Sequence, residues 1–222
     1  TMNNLSGGSL NNSMTSNTDS QQYVKSITST GEKAKRQEED RKTRWPTEEL
    51  RDDLVNKLKD HFKKNVSKDL FTKMFAADTK KNVEAVRILS KALIVEFQET
   101  VDILDMVLRW FFSKLWDNVN TQMMKESLDY FFSLSMSLEA AKYTLLDFEA
   151  NVLIPCLVNR LGTGPSNLKI SLHKIFPKLG GICAPQKIAG FLVDALRSRS
   201  HKTKIESILL VFFVQKIKIL LE

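Results

Sequence analysis

The stretch FEANVLIPCLVNRLGTGPSNLKISLHKIFPKLGG, residues 148–181, reads as two helices separated by one break. Over residues 148–161, apolar side chains stand at Phe148, Val152, Ile154, Leu157, Val158 and Leu161. Gly162-Thr163-Gly164-Pro165 interrupts them, because glycine and proline punctuate helices. The second segment sets Leu168, Leu172, Ile175, Phe176 and Leu179 at steps of four, three, one and three, which is one face of a helix. Gly180-Gly181 stops it, Pro185 opens a third helix, and residues 198–200 separate that helix from a fourth. Each hairpin is apolar on more than one side. None can bury itself alone, so the units have to stack.

The same alternation extends upstream. Residues 67–75 and 80–96 form one predicted pair, broken at 76–79, and residues 99–116 and 121–138 form another, broken at 117–120. The breaks centre near residues 78, 118, 164 and 200. A period of about 40 residues belongs to the HEAT and armadillo repeats. Residues 99–116 are apolar nearly all round, which suits a helix held between neighbours. Ahead of the pairs, Thr47 is placed to cap a helix over 48–62, with Glu48, Glu49, Asp52 and Asp53 favouring its N-terminus and Trp45 as an anchor. The last helix, 202–221, carries Ile205, Ile208, Leu209, Phe212 and Phe213 on more than one side, so further repeats are expected to cover it. The expected fold is an all-α solenoid of about four HEAT-like pairs plus a leading helix, over residues 45–222. Residues 1–44 are rich in Ser, Thr, Asn and Gln and are expected to form a disordered linker.

Composition narrows the class. With 222 residues, 42% of them hydrophobic, the chain can bury a sizeable core. Eight Gly, five Pro and no useful strand alternation favour helices. The longest strongly apolar run, residues 208–214, is far short of the roughly 20 residues a bilayer span needs, so no membrane partner is expected. Cys156 and Cys183 are expected as buried free thiols. The net charge of +7 is uneven: residues 160–222 hold 11 basic and 3 acidic side chains, whereas residues 45–159 hold 15 and 18. A cationic quarter speeds encounter with an acidic partner.

No catalytic constellation is visible. His61, His173 and His201 fall on separate elements, away from metal-ligand spacing with a cysteine. Gly162-Thr163-Gly164-Pro165 lacks the Lys-Ser/Thr of a phosphate-binding loop. The expectation is a non-enzyme without metal or cofactor. Nucleic acid is not expected as a partner, since charge is not accompanied by interleaved aromatics or a motif. What remains is the row of turns inside the pairs, which carry Asp78, Thr79, Lys80 and Lys81, then Asp117, Asn118 and Asn120, then Ser166, Asn167 and Lys169, then Arg199, His201, Lys202 and Lys204. Aligned on one rigid edge, they would make a docking strip for a protein.

Two stretches carry a family resemblance. Leu153-Ile154-Pro155-Cys156-Leu157-Val158-Asn159-Arg160-Leu161-Gly162 resembles the repeat helix that ends in Leu-Gly in TOG domains. Phe191-Leu192-Val193-Asp194-Ala195-Leu196-Arg197-Ser198-Arg199-Ser200-His201-Lys202-Thr203-Lys204-Ile205-Glu206 resembles the repeat that follows it. Val107-Leu108-Arg109-Trp110 and Leu128-Asp129-Tyr130-Phe131 are similar to the second repeat. The likeness runs from about Arg44 to Glu206 and is to the ch-TOG-like microtubule polymerase family, in particular its C-terminal, fourth-type TOG domains.

The resemblance implies a HEAT paddle whose intra-repeat loops bind αβ-tubulin or the microtubule lattice, promoting plus-end growth and spindle organisation. It also implies further TOG domains in the full-length chain, and a place in the cytoplasm at the cytoskeleton, on microtubules, spindle and centrosome or spindle pole. By position, Thr79, Lys80, Lys81, Asn118, Asn120, Lys169, Lys202 and Lys204 would contact tubulin. The family commonly has an aromatic anchor where Thr79 stands, and losing such a hot spot costs on the order of 2 kcal/mol. Leu210-Val211-Phe212-Phe213 also departs from the family pattern. The alternative is a generic HEAT or armadillo scaffold for another acidic protein.

Overall fold

The computed structural model describes residues 24–42, 51–115, 120–162 and 166–221, with side chains for all of these except 40–42, 166, 167 and 213–221. Eleven helices occur among them: α1 (Lys33–Lys42), α2 (Asp52–Asn65), α3 (Lys68–Met74), α4 (Thr79–Val95), α5 (Phe97–Asp102), α6 (Leu104–Leu115), α7 (Thr121–Ala140), α8 (Asp147–Arg160), α9 (Ser166–Leu179), α10 (Pro185–Ala195) and α11 (His201–Leu221). The four expected hairpins are α3–α4, α6–α7, α8–α9 and α10–α11. Their second helices stack in chain order, α4 on α7, α7 on α9 and α9 on α11. The first helices α6, α8 and α10 form the other layer, with α2 against α3 and α6. This is the all-α HEAT-like solenoid read from the sequence.

The core runs unbroken between the layers, from Leu58 and Phe62 through Phe111, Phe131 and Ile154 to Phe176 and Leu192. Its densest part is aromatic, with the Phe111 ring 5.0 Å from Trp110, 5.0 Å from Tyr130 and 4.8 Å from Phe131. Trp110 donates its indole N–H to the Met74 carbonyl at 3.0 Å, so the largest side chain is satisfied inside the core. Cys156 and Cys183 are free and buried, and burial pushes the Cys156 thiol up to about 12. On α11, Ile205, Ile208, Leu209 and Phe212 are exposed, as the all-round apolar pattern anticipates, while Phe213 lies outside the described side chains.

Three expectations are corrected. The helix expected over 99–116 is two helices, α5 and α6, hinged at Ile103. Met106 N–H turns to the Ile103 carbonyl at 3.0 Å, which frees the Asp102 carbonyl to accept from Arg36 at 2.5 Å. The leading helix begins at Asp52, because Arg51 is extended (φ −66, ψ 151); Asp52 and Asp53 occupy its first turn, while Trp45, Thr47, Glu48 and Glu49 lie outside the described residues. Finally, the 1–44 segment is not a linker throughout.

Residues 1–23, 43 and 44 lie outside the described residues, but 24–42 is docked on the solenoid. Ile27 is fully buried and pairs with Val66 in an antiparallel bridge. Lys33 and Arg36 point inward to Glu149 and Asp105 at 2.6 and 2.8 Å, so they are not presented to a basic-patch partner. A polar composition hides this docking because ion pairs, and not apolar area, hold it. Asn65, in a glycosylation-like triplet, is buried and bonds Thr30 and the His61 carbonyl.

Candidate partner-binding edge

Three of the turns inside the hairpins are closed locally. Asp78 accepts from Lys80 N–H at 2.9 Å and caps α4. Asn120 caps α7, accepting from Gln122 and Met123 N–H at 2.9 and 3.3 Å. The Ser200 hydroxyl accepts from Thr203 N–H at 3.2 Å at the start of α11. Behind the first turn, the Asn82 amide donates to the carbonyls of Lys73, Met74 and Ala76, fixing the entry to α4. Gly162 brings the third turn against the fourth: a Cβ there would lie 2.1 Å from Thr203 Oγ1 and 2.7 Å from its backbone nitrogen. Only glycine permits that approach.

Cross-helix ion pairs fix the direction of the stacked helices. Arg87 of α4 meets Glu126 of α7 at 2.7 Å, and Lys169 of α9 meets Glu206 of α11 at 2.9 Å. Toward the other end, Glu139 of α7 meets Lys178 of α9 at 3.5 Å. Lys169 and Glu206 lie near the starts of their helices and Glu139 and Lys178 near the ends of theirs, so α7, α9 and α11 run parallel. Arg87 lies midway along α4, whose direction follows from its far end: Glu96 is bridged by residues 26–36 to the starts of α6 and α8 at Asp105 and Glu149. The first turns of the four second helices therefore share one edge. The first helices of the hairpins run the other way and start at the opposite edge.

Charge divides between the two edges. Acidic residues stand in the first turns of α3 (Asp69), α6 (Asp105) and α8 (Asp147, Glu149), and also of α2 (Asp52, Asp53) and α5 (Glu99). None stands in the first turns of α4, α7, α9 or α11. Of the first helices, α10 departs from this pattern, opening with Pro185, Gln186 and Lys187. Lysines occupy the first turns of α4, α9 and α11 instead, although a helix N-terminus carries about half a positive charge and favours anions. That arrangement works against helix stability. It also builds a cationic, N–H-rich strip that an acidic partner would complement.

The sequence-derived candidates fall as follows. Thr79 is half-buried at the first position of α4, with Lys80 and Lys81 exposed beside it. Asn120 is exposed, but its amide oxygen is engaged as the cap of α7. Lys202 is exposed and Lys204 half-buried in the first turn of α11. Lys80, Lys81, Lys202 and Lys204 have no carboxylate partner among the described residues. Asn118 lies outside the described residues. Lys169 sits on the same edge but is paired with Glu206, which also meets His173 at 2.8 Å. Burial alone would raise the Glu206 carboxyl; hydrogen bonds from Lys169 and His173 outweigh it and hold it below the usual glutamate value.

Sequence reading missed His173 and Glu206, which stand 33 residues apart and share no local motif. It also missed the division of charge, which could have been found by comparing successive first turns. Among the described residues, no group of three or more His, Cys, Asp and Glu could hold a metal, and no helix is long and apolar enough to cross a membrane.

No family model matches the chain. It is 27% identical over 163 residues to Protein MOR1 of Oryza sativa subsp. japonica, covering 73% of this chain and 8% of that protein. It is 28% identical over 159 residues to Protein MOR1 of Arabidopsis thaliana, covering 72% of this chain and 8% of the relative. Protein mini spindles of Drosophila melanogaster is 22% identical over 160 residues, covering 72% of this chain and 7% of that protein. The chain thus spans less than a tenth of the length of the curated relatives it matches. A solved structure reported as "TOG-tubulin binding specificity promotes microtubule dynamics and mitotic spindle formation" superposes with a TM-score of 0.81 at 19% identity, over 87% of this chain and 80% of the other. A TOG domain from C. elegans Zyg9 superposes with a TM-score of 0.80 at 17% identity, over 86% and 73%. The chain therefore has the fold of a TOG domain and is similar in sequence to a short part of the MOR1 and mini spindles proteins.

Proposed function

We propose that this chain is a TOG module of the ch-TOG-like family, of the fourth type, that binds αβ-tubulin or the microtubule lattice through the shared edge of α4, α7, α9 and α11. The observation that carries the reading is the absence of acid from those four first turns, with lysines placed where helix stability disfavours them. Lys80, Lys81, Lys202 and Lys204 make the charge contacts, Thr79 and Asn120 shape the strip, and Asn118 belongs to the second turn. Lys169 acts with Glu206 as a brace between the third and fourth repeats. Thr79 in place of an aromatic anchor makes binding electrostatic in character, hence weak and sensitive to salt. Further TOG domains in the full-length protein would supply avidity. The module would serve plus-end growth and spindle organisation in the cytoplasm, at microtubules and spindle poles.

Size-exclusion chromatography with soluble αβ-tubulin, and co-sedimentation with microtubules, test this at low and raised salt. Co-migration that weakens with salt and with Lys202→Glu and Lys204→Glu is expected. Unchanged migration of both components in both assays would overturn it. Binding that survives these substitutions but is lost on altering exposed helix faces would favour the generic scaffold for another acidic partner.

A further inference from the structure

The edge opposite the lysines is acidic, and the 24–42 segment is seated on it. Glu96, Asp105 and Glu149 come from the end of α4 and the starts of α6 and α8, and none is more than 3% exposed. Ser26 and Ile27 donate their backbone N–H groups to the Glu96 carboxylate at 2.7 and 2.6 Å. Arg36 holds both oxygens of Asp105, at 2.9 and 2.8 Å, and Lys33 reaches Glu149 at 2.6 Å and the Tyr143 hydroxyl at 2.9 Å. Thr28 N–H donates to the Asn65 carbonyl and Ser67 N–H to the Ser26 carbonyl, both at 2.8 Å, so the extended part pairs with the α2–α3 connection through one antiparallel bridge.

The cations Lys25, Lys33 and Arg36 of the segment all meet carboxylates of the solenoid, as a peptide meets a groove, while Glu39 near its end meets Lys57 and His61 of α2 at 3.6 and 3.9 Å. Ile27 is the segment's one buried apolar residue among those described. Thr28, Ala34 and Lys35 face solvent, and Thr30, though exposed, donates its hydroxyl to Asn65 Oδ1 at 2.9 Å. The fit is also incomplete. Arg36 is 3% exposed, yet its Nη1 has no partner among the described residues, and a buried guanidinium donor left unmet is unfavourable. A segment that met it would compete.

We propose that this acidic edge is a binding groove for a short basic peptide, an extended arm with one branched apolar residue leading into a helix with Lys and Arg three positions apart. Residues 24–42 are its displaceable occupant within the chain. The groove recognises such a segment by an antiparallel bridge at Asn65–Ser67, by the Ile27 pocket and by the paired cations. It stands whether or not the lysine edge binds tubulin.

The test uses the full chain with a protease site introduced between Lys42 and Arg51. The protein is purified folded and then cleaved, and a fluorescent synthetic peptide of residues 24–42 is added. The released segment is expected to co-elute with the body, and the labelled peptide to replace it within hours. An unlabelled competitor peptide carrying Arg36→Gln is expected to compete at least about tenfold less well, because it cannot hold both Asp105 oxygens. Loss of the segment immediately on cleavage at micromolar protein would overturn the proposal. So would co-elution without any exchange in a day, or equal competition by the Arg36→Gln peptide.

Discussion

Replacing Lys80 and Lys81 together by glutamate should move stability and binding in opposite directions. Both lysines are exposed in the first turn of α4, just after the Asp78 cap, and neither has a carboxylate partner among the described residues. A charge in the first turn interacts with the helix dipole by about 0.3–1 kcal/mol, screened by salt. Each reversal removes an unfavourable interaction and adds a favourable one. A carboxylate at position 81 also stands three residues after Asp78, where it can reach back to the cap's N–H as in a capping box. The pair should therefore raise stability by about 1–2 kcal/mol, or about 2–4 °C per kcal/mol in a chain of this size. Affinity for αβ-tubulin at low salt should fall about tenfold, since four units of charge change on the strip. Lys91→Glu is the control, being exposed on the same helix about three turns further on. Thermal melts followed by circular dichroism and fluorescence anisotropy with labelled tubulin read the two effects separately. A variant more stable than the parent that binds tubulin equally well would refute the placement of the interface. A variant less stable than the parent would refute the dipole argument itself.

Arg36→Met should destabilise the protein by about 3–5 kcal/mol in chemical denaturation, because Asp105 would stay buried without the bidentate partner. Adding Asp105→Leu should recover much of that loss. Tyr130→Phe should raise stability by up to about 1 kcal/mol, since the buried hydroxyl has no partner among the described residues and burial has already pushed the phenol's pKa up. Glu206→Gln should lower the melting temperature at neutral pH. The folded-state carboxyl is held below the ordinary glutamate value, so its contribution is present above that value and fades as pH falls through the lowered one. The gap between parent and variant should accordingly close on acidification, and a gap that widened would contradict the assigned partners, Lys169 and His173.

The hairpins could be read from sequence because their signals are local. Asp78, Asn120 and Ser200 cap the helices that follow, and the apolar spacing around Leu172 and Phe176 is the core face of α9. The hinge at Ile103 was not readable. Nothing in Val101-Asp102-Ile103-Leu104 breaks a helix, and the cause is an arginine 66 positions earlier that claims the Asp102 carbonyl. The docking of 24–42 escaped for the same reason, since one isoleucine among polar residues gives no period and its partners lie far along the chain. On the candidate edge, Lys80, Lys81, Lys202 and Lys204 stand in the first turns of α4 and α11, exposed or half-buried. Lys169 does not stand free, because Glu206, 37 residues on, takes it up.

The 24–42 segment touches α2, Glu96 just after α4, α5, α6 and α8. It lies like a guy-rope over the first three hairpins, while the fourth is lashed to the third by Glu206 with Lys169 and His173 and by the close approach of Gly162 to Thr203. Under load the rod should flex only as far as those few polar lashings allow. Any matching of its curvature to a bent surface then works against them, with the first three hairpins moving as one stiff plank.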